Sequence, residues 1–252
     1  MRIMVIAAHP QDPFERGGGT VAKHLDRGDE ARFVSLTTGV VTHAFGVFPA
    51  TGDDKLREID RIKALKRGEF EEAAALIGVS SRLFDFLESP LTVGLAEYIA
   101  VVNEIREFRP GAVLCPHPTE FGRFDHMDAG RFAVAAVDYA RADGFPSPLA
   151  PHLVRDVFTF YYEEYRTDQF MGAARHGPDV VVDITAVVDR KRAAMAIFGR
   201  TQAKPGEDYT KKLDRFFASV DGASGYAAGT GYVERFNHLN PGPVAYLPTG
   251  ER

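Results

Sequence analysis

The feature that most constrains the fold is a rhythm. Short apolar runs recur at Arg2–Ala8, Ala31–Thr37, Arg82–Leu87, Ala112–Cys115, Val157–Tyr162 and Val180–Ile184. Helix-compatible stretches at Thr20–Arg27, Asp54–Ile77, Leu95–Phe108 and Asp128–Ala142 lie between most of them. The first run, IMVIAA, shows no polar alternation, so as a strand it must be covered on both faces. Strands of that kind alternating with helices predict an α/β fold with a mostly parallel sheet flanked by helices. In such a sheet ligands gather at the carboxyl ends of the strands.

Composition narrows the function classes. Thirty Lys and Arg against 35 Asp and Glu give a net charge of −5, which offers no basic surface for nucleic acid or an anionic membrane. The single cysteine, Cys115, excludes an internal disulfide framework and a cysteine zinc cluster, and it suits a reducing cytoplasm. No stretch approaches the ~20 apolar residues of a membrane span. The N-terminal apolar run is too short for a signal peptide and meets polar HPQD at once. These features predict a soluble, cytoplasmic protein acting on a small molecule. With no repeat and no strong shift of composition, residues 1–252 are read as one domain. Two segments read as loops over a site: His43–Asp53, and the glycine-rich Asp221–Gly231, which has the composition of a flexible lid.

The chemistry concentrates where strands end. The first run stops at His9, with Asp12 three residues later and three glycines, Gly17–Gly19, beyond it. A histidine nitrogen and a carboxylate oxygen both suit zinc, whose catalytic sites use three protein ligands and keep a fourth position for water. The third ligand is sought after the fourth run, in LCPHPTEFGRFDHMDAG, which holds His117, Glu120, Asp125 and His126. Parallel strands bring their ends to one edge. Either His117 or His126 could complete the set. His126 is preferred because Asp125 stands beside it, and a carboxylate can orient a ligand histidine or move a proton. The glycines lack the lysine of a phosphate-binding loop, so they are read as letting a helix pack close beneath the site.

These residues resemble the PIG-L/LmbE superfamily of zinc-dependent N-deacetylases, which act on N-acetylglucosamine-type amides. Its first motif, A-H-P-D-D-x-E, corresponds here to Ala8-His9-Pro10-Gln11-Asp12-Pro13-Phe14, and its second, H-P-D-H, to Arg123-Phe124-Asp125-His126. Weaker similarity runs through RGEFEEAAALIGV at Arg67–Val79, through Val182–Thr185 with Gln202, and through YVERF at Tyr232–Phe236. The resemblance implies a Rossmann-like sheet and a zinc ion held by His9, Asp12 and His126. It also allows a homo-oligomer, which no residue pattern decides.

The departures from the motifs shape the expected chemistry. Gln11 stands where the family carries its usual general base, and an amide orients water without accepting a proton. Arg123 replaces the histidine that stabilises the developing oxyanion and can supply that positive charge itself. Phe14 replaces an acidic residue, with Glu15 next to it. Three readings follow. The first is a zinc hydrolase of acyl C–N bonds that uses Asp125, Glu120 or His43 as its base. The second is a hydratase: the superfamily includes 4-oxalomesaconate hydratases, which also lack the D-D pair. Arg123, Arg16 and Arg67 would then clamp a polycarboxylate, with His43 in place of an absent loop glutamate. The third is a binding protein that kept the fold without the catalysis. In the first two, Asp125, Gln11 and Arg123 are the expected catalytic residues, and Arg67, Arg16 and His43 the expected substrate contacts. Glu163, Glu164, Tyr165 and Glu234 are further candidates for the wall of the site.

Overall fold

The computed structural model describes residues 1–44, 53–120, 124–162 and 178–239, with side chains omitted at 53–56. Seven strands form one sheet: β1 (Arg2–Ala7), β2 (Glu30–Ser35), β3 (Ser80–Leu83), β4 (Ala112–Pro116), β5 (Asp156–Phe160), β6 (Val180–Asp183) and β7 (Val233–His238). Eight helices accompany them among the described residues: α1 (Asp12–Asp26), α2 (Asp53–Ile77), α3 (Leu95–Phe108), α4 (Phe124–Ala140), α5 (Val188–Ile197), α6 (Gly199–Gln202), α7 (Tyr209–Phe217) and α8 (Ala223–Ala228). The strand order is β3-β2-β1-β4-β5-β7-β6. The first five strands in that order run parallel, and β7 pairs antiparallel with both β5 and β6.

The central strand explains its own sequence. Ile3, Val5 and Ala7 join the core beneath α1, α2 and α5, with Phe14, Phe33 and Phe198. Met4, Ile6 and Ala8 join the opposite core under α3 and α4, with Val101, Ile105 and Phe132. A strand read by two apolar layers has no polar face left, hence the unbroken run. Cys115 lies fully buried in the second core, and burial pushes its thiol up to about 12, so it behaves as a small hydrophobe.

Two expected helix starts need correcting. The first helix starts at Asp12 rather than Thr20, because Pro13 fixes a helical φ in its first turn and Asp12 faces the positive helix end. The three glycines therefore lie inside α1. At Gly19 a Cβ would sit 2.7 Å from Ile184 Cδ1, so the close approach of this helix to the β6 end requires glycine. Helix α4 likewise starts at Phe124, which places Asp125 and His126 on a helix and not in a loop. The strand at Val233–His238 went unpredicted, since its pattern V-E-R-F-N-H has no apolar run.

The expected lid at Asp221–Gly231 is instead a packed support. Residues Ala218–Gly222 form a π-helical turn that leads into α8. Asp221 is buried and accepts a 2.6 Å bond from Lys191 Nζ of α5. Lys191 also pairs with Glu234 of β7 at 2.8 Å, and Glu234 accepts from the Gly19 and Thr20 N–H groups of α1 at 2.9 and 2.8 Å. A buried charge cluster with this many partners anchors the segment in place.

Candidate metal and active site

Strand order reverses between β1 and β4, since the chain winds from β1 outward to β2 and β3 and from β4 outward to β5. That crevice is where an open α/β sheet receives ligands. Pairing of Ile3 with Ala112 and Val5 with Leu114 sets β1 and β4 in register, so both open onto the same edge.

After β1 the chain turns in four residues. The His9 N–H donates to Asp12 Oδ2 at 2.8 Å, and the Asp12 N–H to the His9 carbonyl at 3.2 Å, which fixes both side chains on the turn. After β4, the first turn of α4 presents His126, whose N–H donates to Asp125 Oδ1 at 2.9 Å. His9, Asp12 and His126 are all buried, at 1%, 3% and 2% exposure.

Their ligand atoms converge. His9 Nδ1 lies 3.2 Å from His126 Nε2 and 3.2 Å from Asp12 Oδ2, and His126 Nε2 lies 3.6 Å from Asp12 Oδ2. Ligand atoms about 2.05 Å from a tetrahedral zinc stand about 3.3 Å apart, so this triangle matches one face of that tetrahedron. The local field points the same way. Burial disfavours the charged form of His9, yet Asp12 and then Asp125 outweigh it and raise its pKa to about 9. Burial would raise the Asp12 carboxyl, but His126 and His9 hold it well below the usual carboxylate range. The cluster therefore favours positive charge at its centre, and the residues fit a divalent metal.

A second layer holds the triangle. Asp125 Oδ2 lies 3.2 Å from His9 Nε2, so this carboxylate orients His9 while its other oxygen takes the His126 N–H. Thr42 Oγ1 lies 3.1 Å from His9 Nε2 and 2.9 Å from His43 Nδ1, and it donates to Glu88 Oε1 at 2.6 Å. The His43 ring stands 4.3 Å from that of His9, and burial together with the His9 charge lowers its pKa well below the ordinary value. Lys66 Nζ donates to the His43 carbonyl at 3.0 Å, and burial lowers its pKa to about 8.

The remaining expected residues divide. Gln11 is half-buried at the mouth of α1, where its Oε1 accepts from the Tyr209 hydroxyl at 3.3 Å. Arg16 reaches the rim: it donates to the Tyr162 carbonyl at 2.9 Å and lies 4.8 Å over the Tyr162 ring, which packs 3.9 Å from His126. Arg67 is not brought to the cluster. It is exposed on α2 and donates to the Leu83 carbonyl at 3.2 Å, while its neighbour Lys66 turns inward. Arg123, Glu163, Glu164, Tyr165 and most of the His43–Asp53 segment lie outside the described residues. His117 stacks on Tyr161 at 4.3 Å, away from the triangle, and Glu120 is buried, accepting from the Tyr162 N–H. Phe14 packs on Phe33, Phe70 and Phe198, so that motif position belongs to the core.

Thr42, Glu88 and Lys66 escaped the sequence reading. Glu88 does follow an apolar run, FDFLE, as a strand-end carboxylate should, and Thr42 adjoins a histidine already singled out. Nothing in the spacing shows that they meet.

Known proteins resemble this chain in sequence and in fold. The family model described as GlcNAc-PI de-N-acetylase, PIG-L, matches residues 4–137. The chain is 28% identical over 254 residues to diacetylchitobiose deacetylase of Thermococcus kodakarensis, covering 95% of this chain and 86% of that protein. It is 26% identical over 192 residues to 4-oxalmesaconate hydratase of Pseudomonas putida, covering 76% and 70%. Among solved structures, the 4-carboxy-2-hydroxymuconate hydratase GalB of Pseudomonas putida superposes with a TM-score of 0.81 at 21% identity, covering 98% of this chain and 99% of that one. The N,N'-diacetylchitobiose deacetylase of Pyrococcus horikoshii gives 0.73 at 22% identity, covering 94% and 83%. These structural likenesses establish the fold. No helix among the described residues is long and apolar enough to cross a membrane.

Proposed function

Because the chain belongs to the GlcNAc-PI de-N-acetylase (PIG-L) family, we propose that it is a zinc-dependent enzyme that hydrolyses an acyl C–N bond of a small molecule. The observation that carries this reading is the convergence of His9 Nδ1, Asp12 Oδ2 and His126 Nε2, all of buried residues, to within 4.8 Å of one another at the sheet's switch point. Two imidazoles and one carboxylate are a zinc set, and the metal when bound supplies Lewis acidity and lowers the pKa of water to about 7.

The chain's own residues divide the rest of the work. Asp125 holds His9 and the first turn of α4 together, so it keeps the ligand triangle in shape. Gln11, fixed by the Tyr209 hydroxyl, keeps its amide N–H groups for water or a substrate carbonyl. His43, whose ring centroid lies 4.3 Å from that of His9, is the proton acceptor. Arg123 neutralises developing negative charge, and Arg16 bears on the substrate through Tyr162.

A second reading, hydration of an unsaturated polycarboxylate, is favoured by two observations. The motif position that carries the usual deacetylase base is Gln11, and the relative from Pseudomonas putida is a hydratase. Metal analysis of the wild-type protein beside His9→Ala tests the site. About one zinc per chain, lost in the variant, supports it; no zinc in the wild-type protein after supplementation overturns it. N-acetylated amino sugars and unsaturated dicarboxylates then separate the reactions. Acetate release supports hydrolysis, and loss of conjugated absorbance without acetate replaces it with hydration.

A further inference from the structure

One hydroxyl group touches both histidines on the β1 side of the site. Thr42 Oγ1 lies 2.6 Å from Glu88 Oε1, 3.1 Å from His9 Nε2 and 2.9 Å from His43 Nδ1. A hydroxyl has one proton to give and two lone pairs to receive with. Glu88 is a buried carboxylate that also accepts the Thr42 N–H at 2.9 Å, and as an acceptor it takes the hydroxyl proton. Thr42 can then only accept from the two rings. Both histidines must present N–H groups to it: Nε2–H from His9 and Nδ1–H from His43. Asp125 Oδ2, 3.2 Å from His9 Nε2, is a second acceptor and agrees with that assignment.

We infer that Thr42, anchored by Glu88, is a positioning residue that sets which nitrogen each histidine offers to the site. His9, with its proton kept on Nε2, would then turn Nδ1 to a metal, the atom that meets Asp12 Oδ2 and His126 Nε2. His43, with its proton on Nδ1, carries its ring lone pair on Nε2. A single side chain thus couples the ligand geometry to the proton acceptor. The carboxylate behind it comes from the segment after β3, two strands away from β1 in the sheet.

This inference rests on the zinc site proposed above, and its test separates the two. Wild-type protein, Thr42→Val and Thr42→Ser are compared by zinc dissociation constant, read by competition with a chromophoric chelator. Nitrogen-15 NMR of the histidine rings is recorded with and without zinc. Valine keeps the shape and cannot accept, whereas serine restores the hydroxyl. Thr42→Val is expected to weaken zinc binding by about 10-fold or more and to lose the Nδ1–H form of His43. Thr42→Ser is expected to recover both, with all three proteins melting alike. Wild-type zinc affinity together with an unchanged His43 pattern in Thr42→Val overturns the inference. A wild-type protein that binds no zinc overturns the metal site instead. In that case the metal-free His43 pattern still decides for or against Thr42.

Discussion

Gly130→Ala offers a sharp test of how the fold sets the candidate metal site. Gly130 lies four residues beyond His126 on α4, hence on the same helix face. A Cβ at Gly130 would sit 2.3 Å from the Pro116 carbonyl oxygen, 3.0 Å from the Pro116 carbonyl carbon and 3.1 Å from that of His117. All three are backbone atoms at the end of β4, which is held in the sheet by β1 on one side and β5 on the other. The strand cannot yield, so the helix must. Real Cβ contacts essentially never fall below 3.0 Å, and closing the gap from 2.3 Å moves the helix by at least 0.7 Å. Metal–ligand distances tolerate about 0.2 Å, so His126 is carried out of its place in the triangle.

The stability cost is smaller than the functional one. Overpacking costs about 1–3 kcal/mol, and replacing glycine by alanine within a helix returns about 1 kcal/mol. The net loss is about 0–2 kcal/mol, which lowers the melting temperature by up to roughly 8 °C for a chain of this size. Calorimetry of the metal-free protein and chelator competition for zinc measure the two effects. The control is Gly68→Ala in α2, where an added Cβ meets nothing within 4 Å. That variant should melt slightly higher than wild type and bind zinc normally. A Gly130→Ala protein that melts at or above wild type, with unchanged zinc affinity, would refute the account of α4 as the element that places His126.

Other expectations follow from buried charge and from the altered motif. Lys66 has an ordinary pKa of 10.5 when unfolded and about 8 when folded. Between those values the unfolded chain holds more protons, so stability should rise with pH across that window by on the order of 3 kcal/mol. Lys66→Met should flatten this rise, and equal pH slopes of melting temperature in the two proteins would contradict it. Lys191→Met strands Asp221 and Glu234 without their cation and should cost about 3–5 kcal/mol in urea unfolding; a loss under about 1 kcal/mol would show that the cluster is not the anchor described. Gln11→Asp returns a carboxylate to the motif and should raise acetate release from an N-acetyl sugar by about 100-fold. Failure to raise it, with the fold and zinc content intact, would move the assignment toward hydration.

The sequence by itself determined the α/β architecture and pointed to three residues, His9, Asp12 and His126, that the structure brings together. The unbroken run IMVIAA has the pattern of a strand covered on both faces, and the structure buries it between two apolar layers. Strand ends pointed to His9 and Asp12 and to either His117 or His126, with His126 preferred for the Asp125 beside it, and the family resemblance implied the full set. The sequence did not reveal the strand at Val233–His238, whose buried Glu234 looks polar until Lys191 and the α1 N–H groups are seen to meet it. A glycine-rich stretch read as a lid became a support for the same reason: Asp221 found a cation 30 residues away. Thr42 and Glu88 lie 46 residues apart, and their contact depends on how the segments after β2 and β3 are brought together at the sheet edge. Arg67 and Lys66 differ by one position, and only the rotation of α2 against the sheet decided which faces inward. Local periodicity and strand-end position are written along the chain. The partners of buried polar groups are fixed by packing between distant segments, which only the tertiary structure supplies.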